Sequence, residues 1–502
     1  MRLRPGLSRG GGISIWQGIR ANREAAVSRA VNDFLQKDLL AQASTYNQNQ
    51  PNSKPDPNLT VRTALDRAAA HVEGRFAKQP PVEASIRYTI GSAYIDLGLY
   101  ADAERQFERA LSLRRRELGE NHPDTLAVMS SLAAVYERSG NFKDAEPLYK
   151  KVVALQERIL GPDNPDTLKA MNGLAVTYAE EGRYAESEAI FTRLVPKEQR
   201  VFGEENLQTL RAMGNLATTY DVQGKHKEAE ALLAETLAKK RRALGEENPE
   251  TLDTMTNLAM VYEERGDYEQ AEPLFAAALA AYRRVLGEGH PNTINAANAL
   301  ADLYRARGEA ARAEAVFRQA FDTARHSLGE THPETLDSMW GLAQSYVSEG
   351  RDTEAADLFS KTLEGRRHVL GGEHPDTLDT LTSLGEVRLR QHRYGEAEVT
   401  FREALLGYEK AMPDSWQRYN CESLLGAGLA GQKKVPEAEP LLLSGYNGLL
   451  QRRASIEPVN QPRLAEAGDR IVRFYRDSDR PDKAAEWSQR LTSNPGVGSG
   501  NH

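Results

Sequence analysis

Four histidines, His122, His290, His332 and His374, each precede a proline and stand within three residues of a threonine, as in Asn121-His122-Pro123-Asp124-Thr125. Imidazole, carboxylate or amide, and hydroxyl in so short a stretch are ingredients of a metal site or of acid–base chemistry. Their spacing along the chain argues against both. Ligands that share one zinc ion must each come within ~2.1 Å of it, whereas successive helices in a stack are separated by a helix diameter of about 10 Å. The many aspartates and glutamates fall on first turns and solvated helix faces rather than in pairs. No glycine-rich phosphate loop with its Lys-Ser/Thr follows a strand. No catalytic residue, no metal site and no cofactor is therefore expected.

What positions these residues is a period. The Leu-Gly or Phe-Gly step ends at Gly119, Gly161, Gly203, Gly245, Gly287, Gly329 and Gly371, always 42 residues apart. A fixed repeat of this length signals units stacked on their neighbours rather than a single globular core. Within one unit, Pro123 sits where a helix starts, since proline has no N–H to lose at the first helical position, and Asp124 favours the positive helix end. Gly140 and Gly161 stand where helices stop, because a residue without Cβ adopts the left-handed cap conformation. Leu132, Ala133 and Tyr136 form an apolar face on the first helix, and Ala145 on the second helix lets the two approach closely. Each unit reads as a helical hairpin.

The array divides as follows: a flexible start over 1–21; N-terminal helices around a Pro/Asn-rich linker over 22–80, capping the stack; eight units over 81–416; two degenerate units over 417–492 as a second cap; and a disordered tail over 493–502. Two helices are expected before the repeats, from Asn22 to Ala43 and from about Leu59 to Phe76, with the linker at residues 48–57 between them. The segments outside the repeats leave no room for a catalytic domain.

A net charge of -8 argues against nucleic-acid binding, which needs a basic footprint. The single cysteine, Cys421, excludes an internal disulfide framework. Ile13-Ser14-Ile15-Trp16 is too short for a secretory signal, and no apolar run is long enough to span a bilayer, so membrane insertion is not expected and a cytoplasmic location is.

Leu132-Ala133, Tyr136, Gly140, Phe142, Ala145 and Tyr149 sit at the spacing of the tetratricopeptide repeat, and 42-residue units joined by Leu-Gly-Glu-x-His-Pro-Asp-Thr-Leu resemble those of the kinesin light chain and of many bacterial proteins with that repeat type. The resemblance implies an all-α, right-handed superhelical solenoid of antiparallel helix hairpins. It also implies a non-enzymatic interaction scaffold, with a protein or peptide partner received in a concave groove lined by the first helices. By register, the groove positions are Lys169, Asn172, Arg211, Asn215, Thr218, Asn257, Asn295, Asn298, Asp302, Trp340 and Gln344. Asparagine carries both donor and acceptor and so can hold a peptide backbone; Asn215-Leu216-Ala217 and Asn257-Leu258-Ala259 match relatives in which it does. Trp340 offers an aromatic anchor. Exposed end repeats would also allow a homo-oligomer.

A looser resemblance, from Ala30-Val31-Asn32-Asp33-Phe34-Leu35 to Leu65-Asp66-Arg67-Ala68, is to the segment that precedes such repeats in bacterial serine/threonine kinases. It implies the alternative function, a ligand-sensing regulatory module of a bacterial signalling system. One variant of the family departs from this chain: the clamp for a C-terminal carboxylate needs lysine, asparagine and arginine at set positions, where Ser130 and Ala134, or Asn172 and Val176, stand here. A short acidic C-terminal peptide titrated against the protein should show no binding. Tight binding that depends on the terminal carboxylate would overturn this reading.

Overall fold

The computed structural model describes residues 25, 27–36, 59–456 and 460–493. The expected linker at 48–57, the flexible start at 1–21 and the tail beyond residue 493 lie outside the described residues. Of the first expected helix, residues 27–36 are helical, and the second runs Val61–Arg75 with the Thr60 hydroxyl accepting from the Thr63 N–H. Contacts divide the chain into two compact units, Met1–Lys225 and His226–His502.

In the first unit, Phe34, Leu65, Ala68 and Val72 are buried in one cluster with Val82, Ile86 and Ile90, so the helices before the repeats dock on the first hairpin. Three hairpins follow, Pro80–Asp96 with Tyr100–Leu118, Pro123–Arg138 with Phe142–Ile159, and Pro165–Glu180 with Tyr184–Phe202; the helix Leu207–Val222 ends the regular structure of this unit. The second unit begins with His226–Leu244 and continues as hairpins from Pro249–Glu264 with Tyr268–Leu286 to Tyr394–Ala411, then Trp416–Gly431 with Val435–Gln451 and Pro462–Asp477 with Pro481–Thr492. Among the described residues there is no strand.

Each junction is closed by its own side chains. The hydroxyl of Thr125 donates to the Gly119 carbonyl at 2.8 Å, and Thr167, Thr209, Thr251, Thr293, Thr335 and Thr377 make the same bond to Gly161, Gly203, Gly245, Gly287, Gly329 and Gly371 at 2.7–3.0 Å. All seven threonines are buried. The glycines before them take positive φ, +85° at Gly119 and +99° at Gly161, a region closed to most side chains. The histidines of the junction are helix caps: Nδ1 of His122, His290, His332 and His374 accepts from the backbone N–H two residues on, at 3.2–3.3 Å. Asn164, Asn206 and Asn248 do the same with an amide oxygen.

Inside the hairpins Ala103, Ala145, Ser187, Ala229, Ala271, Ala313, Ala355 and Ala397 are all fully buried, and Phe191, Phe275, Phe317, Phe359 and Phe401 fill the space beside them. Neighbouring hairpins are also clasped across their turns by ion pairs whose glutamates share one register. Glu146 holds Arg183, Glu188 holds Lys225, Glu272 holds Arg312, Glu314 holds Arg351, and Glu398 holds Lys434. Lys434 and its neighbours hold the Glu398 carboxyl down at about 2, against the opposing effect of burial.

Replacing Thr335 with valine keeps the shape and removes the hydroxyl, leaving the Gly329 carbonyl without that donor. Thr335→Val should cost about 0.5–1.5 kcal/mol, the net contribution of an ordinary intramolecular hydrogen bond, read as a lower urea midpoint with an unchanged helical spectrum. An unshifted midpoint would mean the bond contributes nothing.

Candidate functional site

The first helix of each hairpin presents one exposed or half-exposed residue per 42 on the same face, and this series carries the variable chemistry. In the first unit it reads Ser85, Ala127, Lys169 and Arg211, the last two exposed; in the second it reads Asp253, Asn295, Asp337 and Asp379. The charged members of the series are thus basic in the first unit and acidic in the second. Lys169, Arg211 and Asn295 were expected in this series. The three aspartates occupy the same register, and following that register through every unit finds them.

A second series reaches this face from beneath. One position per second helix, again every 42 residues, holds Arg114, Gln156 and Glu198 in the first unit and Lys240, Tyr282, Ala324, Arg366 and Tyr408 in the second. Its long side chains reach their own first helix, the next one or, at Arg366, both. The Arg366 guanidinium donates through Nη2 to Asp337 at 2.5 Å, and through Nη1 to the Asp376 carbonyl and the Thr380 hydroxyl, both at 2.9 Å. The Tyr408 hydroxyl donates to Asp379 at 2.7 Å and that of Tyr282 to Asp253. The Lys240 ammonium donates to the Glu250 carbonyl and carboxylate at 3.0 and 3.2 Å. In the first unit Gln156 and Glu198 are buried, and their Oε1 and Oε2 atoms respectively have no hydrogen-bond partner. Burial alone pushes the Glu198 carboxyl up to about 7.

The remaining expected residues fall into distinct environments. Asn172 and Asn215 in the first unit and Asn257 in the second are half-buried, while the exposed Thr218 hydroxyl turns back to the Gly214 carbonyl. Asp302 accepts from Arg305 at 2.7 Å, and Gln344 donates to the Ser383 hydroxyl at 3.1 Å. Asn298 differs from its expected place on the surface. It is 8% exposed, accepts from the Ser338 hydroxyl at 2.8 Å, and has no partner for its Nδ2. Trp340 is half-buried; its indole N–H is enclosed without an acceptor, and the Arg366 guanidinium lies 5.9 Å from its ring.

Two of the expected residues meet in one recess of about 380 Å³ in the second unit. Asn257 and Asn295 line it together with Asp253, Asn292, Tyr282 and Glu334. Burial raises the carboxyls of Asp253 and Glu334, the latter with help from the charge of Asp337, and Glu334 Oε2 is buried without a hydrogen-bond partner. The other expected residues do not line this recess, and those of the first unit belong to a separate body.

A frame that repeats and a first-helix face that does not define a helical-hairpin repeat protein. The tetratricopeptide repeat pattern matches residues 82–158, 130–197, 166–242, 222–284, 250–326, 305–367 and 334–410, and the chain belongs to that family. No curated protein matches the sequence. Among solved structures, a Podosopora anserina protein assigned as a kinesin light chain with nearly identical TPR-like repeats is 23% identical over 49% of this chain and 97% of its own, with a TM-score of 0.31. The apo form of the quorum sensor NprR from B. thuringiensis is 13% identical over 74% of this chain and 98% of its own, with a TM-score of 0.51. A Rap protein complexed with competence and sporulation factor is 14% identical over 74% and 97%, with a TM-score of 0.48. At these identities the likeness is one of fold. The family matches begin at residue 82, which leaves the kinase-like resemblance of the preceding segment without support. Among the described residues no helix is long and apolar enough to cross a membrane.

The buried Glu198 carboxyl, raised from an ordinary value near 4.5 to about 7, sets a sign for pH. Between these values the folded chain holds a proton that the unfolded chain has lost, so the protonated group's contribution is complete below the lower value and is lost as pH rises to about 7. Glu198→Gln should therefore raise Tm more at pH 8 than at pH 4.5. At about 1.4 kcal/mol per pKa unit the difference is at most ~3 kcal/mol. An equal shift at both pH values would show that Glu198 does not titrate in this window.

Proposed function

We propose that the protein is a non-enzymatic interaction scaffold that holds an extended peptide or a helix of a partner protein against the first-helix face. The observation that carries this reading is the contrast within each repeat. The junction threonines, caps and buried alanines recur unit after unit, whereas the exposed first-helix series varies through Lys169, Arg211, Asp253 and Asn295. A face whose residues are freed from the frame is where recognition is written in a stacked-repeat protein. Half-buried asparagines, Asn215 in the first unit and Asn257 in the second, supply paired donors and acceptors suited to a peptide backbone.

The partner is a protein segment rather than nucleic acid, since the chain is acidic and its second unit adds aspartates to this face. We further propose that the protein works without a cofactor and in the cytoplasm. The alternative partner is a second copy of the chain, met through exposed end hairpins, which would be seen as a concentration-dependent mass.

A displayed library of random peptides selected on the full chain tests the reading. Enriched peptides should bind wild type, and the double substitution Asn215→Ala with Asn257→Ala should weaken them by about tenfold or more, as expected for two lost hydrogen-bonding groups, with Tm within a few degrees of wild type. Enrichment of no peptide, or peptides that bind the variant equally well, would defeat the assignment of this face. A small molecule that binds and changes the helical array while no peptide does would favour the sensing module instead.

A further inference from the structure

Near its end, the first-helix face of the second unit is crossed by a side chain from two hairpins away. Glu386 is the twelfth residue of Pro375–Arg390, the place that Asp302 and Gln344 hold in Pro291–Ala306 and Pro333–Ser348. Asp302 is served from its own helix, by Arg305 three residues on. In Pro375–Arg390 the residue three on is Leu389, and Arg388 and Arg390 turn instead to Thr400 and Asp352. The Glu386 carboxylate accepts from Arg463 Nη1, at 3.0 and 3.2 Å to its two oxygens. Arg463 stands 77 residues further along, in the first turn of Pro462–Asp477.

This contact departs from the pattern of the stack. At other points of the face, side chains of neighbouring first helices meet at nearly equal positions: the twelfth residue Gln344 with the ninth residue Ser383, and the sixth residue Ser338 with the eighth residue Asn298. Arg463 is the second residue of its helix and Glu386 the twelfth of its own, and Trp416–Gly431 packs between those two helices. A difference of ten positions is about 15 Å along a helix axis, so the pair runs obliquely over the intervening helix. That helix offers no long side chain to block the path, since its own twelfth residue is Ala427.

The pair can open without moving the helix that carries it. Seven residues after Arg463, Arg470 donates to the Ser423 hydroxyl at 3.1 Å, and Leu464, Ile471 and Phe474 are buried, which fixes Pro462–Asp477 in place. Arg463 and Glu386 themselves keep 32% and 24% of their side chains exposed. An ion pair reached by solvent contributes little net stability, because water and salt compete for both charges.

We propose that Arg463 and Glu386 form a side-chain strap across the first-helix face, closed in the free chain, which a partner segment has to open to pass from Pro375–Arg390 onto Trp416–Gly431. This strap bears on the proposed peptide binding and rests on it. Its cost to a partner is the strength of the pair, whichever of the two residues is removed.

Peptide libraries displayed against full-length wild type and against full-length Arg463→Gln test the strap. The variant should enrich peptides that bind it about two- to fivefold more tightly than wild type, the factor that opening a partly exposed ion pair returns. Glu386→Gln should give the same peptides the same gain, and the double substitution no more than either alone, because each single change already opens the strap. Bound to Arg463→Gln, these peptides should slow hydrogen exchange at the backbone amides of residues 416–431. If Arg463→Gln fails to fold, Glu386→Gln takes its place as the selection target. Weaker binding to Glu386→Gln would make the carboxylate a contact of the partner and overturn the strap, as would gains that add in the double substitution or protection that stops short of residue 416. Peptides that bind wild type and both variants equally would overturn the strap and leave peptide binding standing. Failure to select any peptide on any of these chains would remove the scaffold reading and the strap with it.

Discussion

One hydrogen bond, from a buried threonine hydroxyl to the carbonyl of the glycine six residues earlier, fixes how one hairpin hands the chain to the next. The glycine turns with positive φ, its carbonyl accepts from the buried threonine hydroxyl, and the threonine sits in the first turn of the following helix. The bond therefore joins the end of one hairpin to the start of another and sets the exit angle of the chain. Histidine or asparagine two residues before the threonine's neighbour completes the turn by capping the same helix. With the angle set, the buried alanine line can bring helices close, and the Glu–Arg clasps meet across the opposite turns.

Uniform junctions free the rest of the surface to vary, but not independently. A second-helix side chain such as Arg366 or Tyr408 reaches under the first helices and satisfies an aspartate there. The charge displayed by the first-helix face is thus partly set by residues hidden behind it. Where the hidden residue carries a group with no partner, as at Glu198, the balance between display and support is broken locally and the fold carries an electrostatic cost.

Much of this architecture is legible in the sequence because its physics is local. Proline at the first helical position, glycine at the stop and alanine at the close approach act within a turn or two, and the observed helix Pro123–Arg138 follows from them directly. The face of variable residues is legible by register as well. What is not legible depends on contacts across hairpins. Asn298 shares a helix with exposed Asn295, but three residues on, about five-sixths of a turn, it accepts from Ser338 and lies out of solvent. The reach of Arg366 beneath two first helices is hidden for the same reason, since it depends on contacts that reading the first helices alone does not show. The division at Lys225 leaves no mark on a period that runs through it unbroken.

The junction bond also bears on how such a chain can change its length. Its donor, acceptor and cap all lie within nine residues of sequence, so a duplicated or deleted stretch of 42 residues carries a complete joint with it wherever the cut falls. Recombination between equivalent glycines would yield a longer or shorter array with every remaining joint intact. Gene duplication can therefore alter the number of recognition positions without first inventing a new way to connect them.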